Sequence, residues 1–265
     1  TDAYRPELSG ELRCPVSAIE PMEMSIRKVI ARRGAMELRP NIVINLGIGI
    51  PSGVGSVANE EGITGLTLSL ESGPMGGVPV EGVGFAASVN PDVIDTICDT
   101  FDLYDGGLLD MTFLGAAEID KKGNVNVSKF GTRCTGPGGF INISQNTHKV
   151  CFMGAFTAGK MEAEVGDGRL TIRKDGQGVK FVEQVQQITF SADYARQSGQ
   201  EILYITERAV FRLVPEGVML TEIAPGVDLE RDILSKMAFR PLIAQDLKTM
   251  DQRIFHHGKM GLSLG

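Results

Sequence analysis

Apolar positions recur at helical spacing over residues 25–38, where Ile26, Val29 and Ile30 share one face and Ser25 can cap the first turn. The other side is basic, with Arg27, Lys28, Arg32 and Arg33, and is expected to face solvent. Residues 41–46, with Ile42, Val43, Ile44 and Leu46 apolar, predict a buried strand. Residues 47–51 turn the chain, 52–61 predict a helix stopped by Gly62, and 63–70 predict a second strand whose apolar positions alternate from Leu66 to Leu70 and which runs into Glu71. Strand, helix, strand in this order predicts a parallel pair with a right-handed crossover.

Asn90 and Pro91 predict a helix start, with asparagine as cap and proline at the first position. Strands are expected at 111–114 and 149–153, and a hairpin at 118–127 around a turn at 120–123. The run 170–182 predicts two strands joined near Asp175 and Gly176. Strands are also expected within 202–213 and at 218–223, and Asp228 is expected to cap a helix through Met237. Residues 241–265 carry no pattern. The sum is an α/β chain with a mainly parallel sheet and added hairpins: an irregular lead-in over 1–24 and one domain over 25–265.

Charge and composition narrow the function. The chain has 265 residues, 42% hydrophobic and 22% charged, with a formal charge of -7 and a pI near 5.1. An acidic surface argues against nucleic acid as a partner, because phosphate neutralisation needs basic groups. No apolar run reaches the roughly 18 residues that a membrane helix needs, and the first residues carry no secretion signal, so no membrane association is expected. None of Cys14, Cys98, Cys134 and Cys151 forms a C-x-x-C pair, which leaves zinc and dithiol chemistry unsupported and fits a reducing cytoplasm. Cys98 and Cys151, among apolar neighbours, are expected in the core. No metal site is expected.

Candidate chemistry gathers around Glu71. This carboxylate closes a strand and is followed at once by Ser72, Gly73, Pro74, Met75, Gly76 and Gly77. Such an acid can be shielded or exposed by its loops and can serve as a nucleophile. A second glycine run, Gly136, Pro137, Gly138 and Gly139, offers backbone amides to an oxyanion or a phosphate. A different reading rests on Gly47 and Gly49. Between a strand and a helix, with an acid at the end of the next strand, they form half of a dinucleotide fingerprint and point to an NAD-binding oxidoreductase. Against it, Ser52 holds the third glycine position and Pro51 sits in the turn.

The NLGIGIP run at 45–51, the ESG element at 71–73, GNVNVS at 123–128 and GPGG at 136–139 together resemble the C-terminal half of a family I coenzyme A transferase, nearest to the short-chain acyl, acetoacetate and propionate enzymes. The resemblance covers about 25–263. It implies an open three-layer αβα sandwich and a ping-pong exchange of coenzyme A between an acyl-CoA and a short-chain carboxylic acid. Glu71 would be the nucleophile and carry a glutamyl-CoA thioester. Gly138 would supply the oxyanion amide, Gly47, Gly49, Gly136 and Gly139 would line the coenzyme A site, and Asn90 would act as a helper. Coenzyme A enters as substrate, and no tightly bound cofactor is implied. The family pairs two similar halves, fused or as subunits. The other half is absent here, so a homologous half in a homo- or hetero-oligomer is expected.

Overall fold

The computed structural model describes residues 4–80 and 86–264. Helix α1 (Ile26–Ala35) leads into β1 (Ile42–Leu46), α2 (Gly53–Glu61) and β2 (Leu66–Ser69). Two short strands follow, β3 (Pro74–Met75) and β4 (Val93–Ile94), then α3 (Ile97–Asp105), β5 (Met111–Gly115), α4 (Phe140–Gln145) and β6 (Lys149–Met153). The chain closes with α5 (Ala192–Ser198), β7 (Glu201–Ile205), β8 (Ala209–Val214), β9 (Gly217–Ile223) and β10 (Leu242–Thr249). These strands form one sheet in the order β10-β9-β8-β7-β6-β5-β1-β2-β3-β4. The five central strands, β7 to β2 in that order, are parallel, and antiparallel strands flank them.

Alternation along the central strands divides the core into two layers. Phe113, Cys151 and Leu203 point to the face covered by α1 and α2. Leu114, Phe152 and Tyr204 point to the other, with Tyr104 of α3 and Ile143 of α4. The three-layer αβα arrangement expected from the resemblance is the one observed.

Several local expectations change. The basic side of α1 is solvated only at Arg27: Lys28, Arg32 and Arg33 are 5%, 0% and 7% exposed. Arg32 is spent on the carbonyls of Ile254, His256 and Gly258, and Arg33 pairs with Glu37 and Glu222. No helix opens at Asn90, whose backbone is left-handed at φ 57°. The helix starts later, where the Thr96 hydroxyl accepts from the Asp99 amide and donates to its carboxylate, a reciprocal cap. The strand starting at Arg169 (Arg169–Lys174) pairs with Glu162–Gly166 and not with 178–182. Residues 229–236 make a π-helical turn and a 3-10 turn in place of one helix, although Asp228 does cap them. The patternless tail holds the eight-residue edge strand β10. Cys98 is exposed on α3, whereas Cys151 is buried.

Candidate active site

Glu71 stands two residues past the end of β2, at the carboxyl edge of the parallel strands, where open α/β sheets bind ligands. The loop that follows is buttressed by backbone. Gly73 donates to the Leu70 carbonyl at 3.0 Å and accepts from Asp95 at 3.1 Å. A methyl group on Gly73 would lie 2.1 Å from the Asp95 carbonyl, and its φ of 122° suits glycine alone. The turn beside the acid is therefore fixed and not loose.

The carboxylate itself is held differently. It is half-buried, and among the described residues no hydrogen bond or ion pair engages it. Burial without a counter-ion pushes Glu71 above the usual carboxylate range. Its close neighbour is Gly139: a methyl built there would lie 2.7 Å from Glu71 Oε2 and 2.5 Å from the Phe101 ring. Only a glycine lets this backbone come so near the acid. The Gly138 and Gly139 amides have no partner among the described residues, since α4 begins only at Phe140. Beside Glu71 a cavity of about 100 Å³ is lined by Gly47, Ile48, Leu70, Glu71, Pro79 and Ile97, among others. A larger hollow of about 600 Å³ lies under the lead-in, between Arg5, Met22, Ser56 and Val89. It does not contain Glu71, so the smaller cavity is the one that bears on the chemistry.

The other expected site residues divide. Gly47 lines the cavity, with its amide donated to the Phe113 carbonyl at 2.8 Å. Gly49 is left-handed at φ 87° in open space. Gly136 donates to the Ser128 carbonyl at 3.2 Å and faces a separate hollow with Cys134 and Ile141. Asn90 is not brought to Glu71. Its side chain donates to the Cys14 carbonyl at 2.8 Å and accepts from the Cys14 amide at 2.9 Å, so it pins the lead-in. Phe101 and Tyr104, on one face of α3, stand next to the site and were not foreseen. The Thr96–Asp99 capping pattern would have located their helix.

The dinucleotide alternative fails on the first turn of α2. There Gly53, Val54 and Gly55 donate to the carbonyls of Ile50, Pro51 and Ser52 at 3.1 Å each. These are the amides a pyrophosphate would need at a helix N-terminus.

No family model matches the chain. It is 49% identical over 265 residues to the caffeate CoA-transferase of Acetobacterium woodii, covering 98% of this chain and 50% of that protein. The crystal structure of the acyl-CoA transferase YdiF of E. coli O157:H7, in a thioester complex with CoA, superposes with a TM-score of 0.86 at 44% identity over 93% of this chain and 47% of that one. Along its length the chain is similar to one half of these CoA-transferases and shares their fold. It spans about half the length of these relatives. It also covers 98% of the acetate CoA-transferase subunit beta of E. coli K12, at 29% identity over 85% of this chain. No helix among the described residues is long and apolar enough to cross a membrane.

Proposed function

We propose that this chain is the glutamate-bearing half of a CoA-transferase that moves coenzyme A between a short-chain acyl-CoA and a free carboxylic acid. One observation carries the reading: Glu71 is a partly buried carboxylate with no cation or donor among the described residues, pressed against Gly139 beside two free amides. A carboxylate is a weak nucleophile in water, and removing its solvent without neutralising its charge is what makes attack feasible.

The chemistry follows. A Glu71 oxygen attacks the thioester carbonyl, and a mixed anhydride forms as the CoA thiolate leaves. The thiolate then attacks the Glu71 carbonyl and expels the first acid as its carboxylate. The glutamyl-CoA thioester remains. The second carboxylate attacks that thioester, and the thiolate leaves and returns to the new acyl carbonyl. This frees the new acyl-CoA and restores Glu71. Each tetrahedral stage places negative charge on one oxygen, and the Gly138 amide, with that of Gly139 beside it, is the donor set at hand. Loss of one such donor costs about 3 kcal/mol. Gly47 serves as bare backbone along the cavity, and Gly49 supplies the left-handed residue of the turn that follows it. Gly136 supports the loop through Ser128.

The cavity of about 100 Å³ is small, which suits a small acyl chain. The second half of the enzyme, fused or separate, is the expected partner: the relatives are twice as long or are named as a subunit. The free thiols fit a reducing cytoplasm. The test is direct. The complete protein, with both halves, is incubated with acyl-CoA and no acceptor acid, digested, and its peptides weighed. A coenzyme A adduct on the Glu71 peptide that disappears in Glu71→Gln supports the reading. Transfer activity that survives Glu71→Gln refutes it.

A further inference from the structure

Beneath Glu71 a chain of buried, neutral hydrogen bonds crosses the sheet. Thr112 Oγ1 donates to Asn45 Oδ1 at 3.0 Å, and Asn45 Nδ2 donates to the Tyr104 hydroxyl at 3.3 Å. Tyr104 donates in turn to Ser69 Oγ at 3.0 Å, and Ser69 donates to the Ile44 carbonyl at 3.0 Å. All four side chains are at most 1% exposed. Every donor points the same way, so the Tyr104 oxygen accepts from one strand while its proton is given to another. Thr112, Asn45 and Ser69 belong to β5, β1 and β2; Tyr104 reaches in from α3.

The same helix touches the other side of the site. Phe101, one turn before Tyr104, meets it edge-on with ring centroids 5.9 Å apart. The Phe101 ring is also the group that a Gly139 methyl would strike. Helix α3 therefore holds the strand end that precedes Glu71 with one residue, and the glycine facing the carboxylate with another. Because no described side chain grips the Glu71 carboxylate, its place is set by what anchors its backbone. Ser69, two residues earlier, is one such anchor, beside the Gly73 bond to the Leu70 carbonyl.

We propose that Tyr104 is a positioning residue whose hydroxyl, acting through Ser69, fixes the Glu71 carboxylate against Gly139. The proposal rests on the transferase reading of Glu71. Burial raises the Tyr104 phenol pKa, and the charge of Glu71 adds to the rise, so the two groups are close enough to interact while the phenol stays neutral. A neutral dipole chain suits the task. It orders the strand end without placing a cation beside the nucleophile, where it would quench the charge that attacks.

Tyr104→Phe keeps the ring on Phe101 and deletes only the hydroxyl. In the complete protein, we expect the melting temperature to fall by a few degrees, because the buried Asn45 amide loses its acceptor, and the fraction of chains that form the Glu71 adduct to be unchanged. The rate of adduct formation should fall about tenfold, with KM for acyl-CoA within about twofold of wild type. Ser69→Ala, which also removes the bond to the Ile44 carbonyl, should lose at least as much, and the double variant should lose no more than Ser69→Ala alone, because Tyr104 acts through Ser69. The proposal is overturned by a Tyr104→Phe rate within about twofold of wild type, by losses that multiply in the double variant, or by a rate loss matched by fewer adduct-forming chains. An absent adduct in the wild-type protein would overturn the transferase reading along with this one, whereas a normal wild-type adduct with an unaffected Tyr104→Phe overturns only the positioning role.

Discussion

Gly139→Ala isolates the contact on which the site depends. Gly139 has φ −78°, which any residue adopts, so alanine there adds no backbone strain. Its whole effect is steric. The new methyl would lie 2.5 Å and 2.9 Å from two Phe101 ring atoms and 2.7 Å from Glu71 Oε2. Ordinary contacts are about 3.5–4.0 Å, so something must yield by roughly 1 Å. Neither neighbour is locked in the core. Phe101 is half-buried, and Glu71 has no partner that would hold it among the described residues. The cheapest relief moves the carboxylate and the ring off the glycine. Overpacking of this kind costs about 1–3 kcal/mol of stability, which a folded domain survives. A carboxylate displaced by about 1 Å from its reacting position costs on the order of 100-fold in rate, or about 2.7 kcal/mol on the barrier. Gly138→Ala is the control. Its φ is 54° and nothing lies within 4 Å, so it carries backbone strain of about 1 kcal/mol but no clash with Glu71. The assay is the rate of Glu71–CoA adduct formation after mixing with acyl-CoA, read by quenched digestion and mass, alongside thermal melting. Gly139→Ala should be folded and slow, and Gly138→Ala folded and slowed by less than about tenfold. A folded Gly139→Ala protein that reacts within about twofold of the wild-type rate would refute the claim that this contact places the nucleophile.

Two further outcomes follow from charge. Glu71 has its carboxyl pushed up by burial. Its favourable, neutral form is therefore fully present below the ordinary carboxylate range, and stability is lost as pH rises from there through the raised value. Glu71→Gln should accordingly be more stable than wild type at neutral pH, with the difference closing in acid; urea unfolding at several pH values would detect a gap that fails to close. Glu37 is the opposite case: burial alone would raise it, but Arg33 and Lys149, which bonds it at 2.5 Å, hold its carboxyl below the usual range. Its contribution is present above the ordinary carboxylate value and lost as pH falls through the depressed one. Glu37→Gln should cost about 3 kcal/mol at neutral pH, measured by urea unfolding, because it leaves two cations short of a buried partner.

What could be read in the sequence was what depends on neighbours along the chain. The β1–α2–β2 unit, the acid at its end and the glycine loop were legible because apolar alternation, caps and glycines act over a few residues. The basic side of α1 was not. Charges at helical spacing resemble a solvated face unless their partners are known, and those of Arg32 lie more than 200 residues away in the tail. The edge strand β10 was hidden for a related reason. It pairs on one side only, with β9, so its exposure pattern does not alternate. Asn90 was misread because Asn-Pro is a strong local signal for a helix cap, while the tie between its side chain and Cys14 spans 76 residues.

The same distinction runs through the site. The groups proposed for the chemistry, Glu71 and the glycines at 136–139, sit in short motifs because chemistry needs particular atoms on bare backbone. The groups that decide where Glu71 stands come from three strands and a helix, and taken singly Thr112, Asn45, Tyr104 and Ser69 look like ordinary core polar residues. They gain a role only when the sheet order β5-β1-β2 lines them up and α3 closes the chain from above. A nucleophile that must remain charged and unpaired cannot be held by its own carboxylate. It has to be held through its backbone, and the register of Asn45 with Ser69 in the parallel pair β1–β2 provides that hold two residues before the acid.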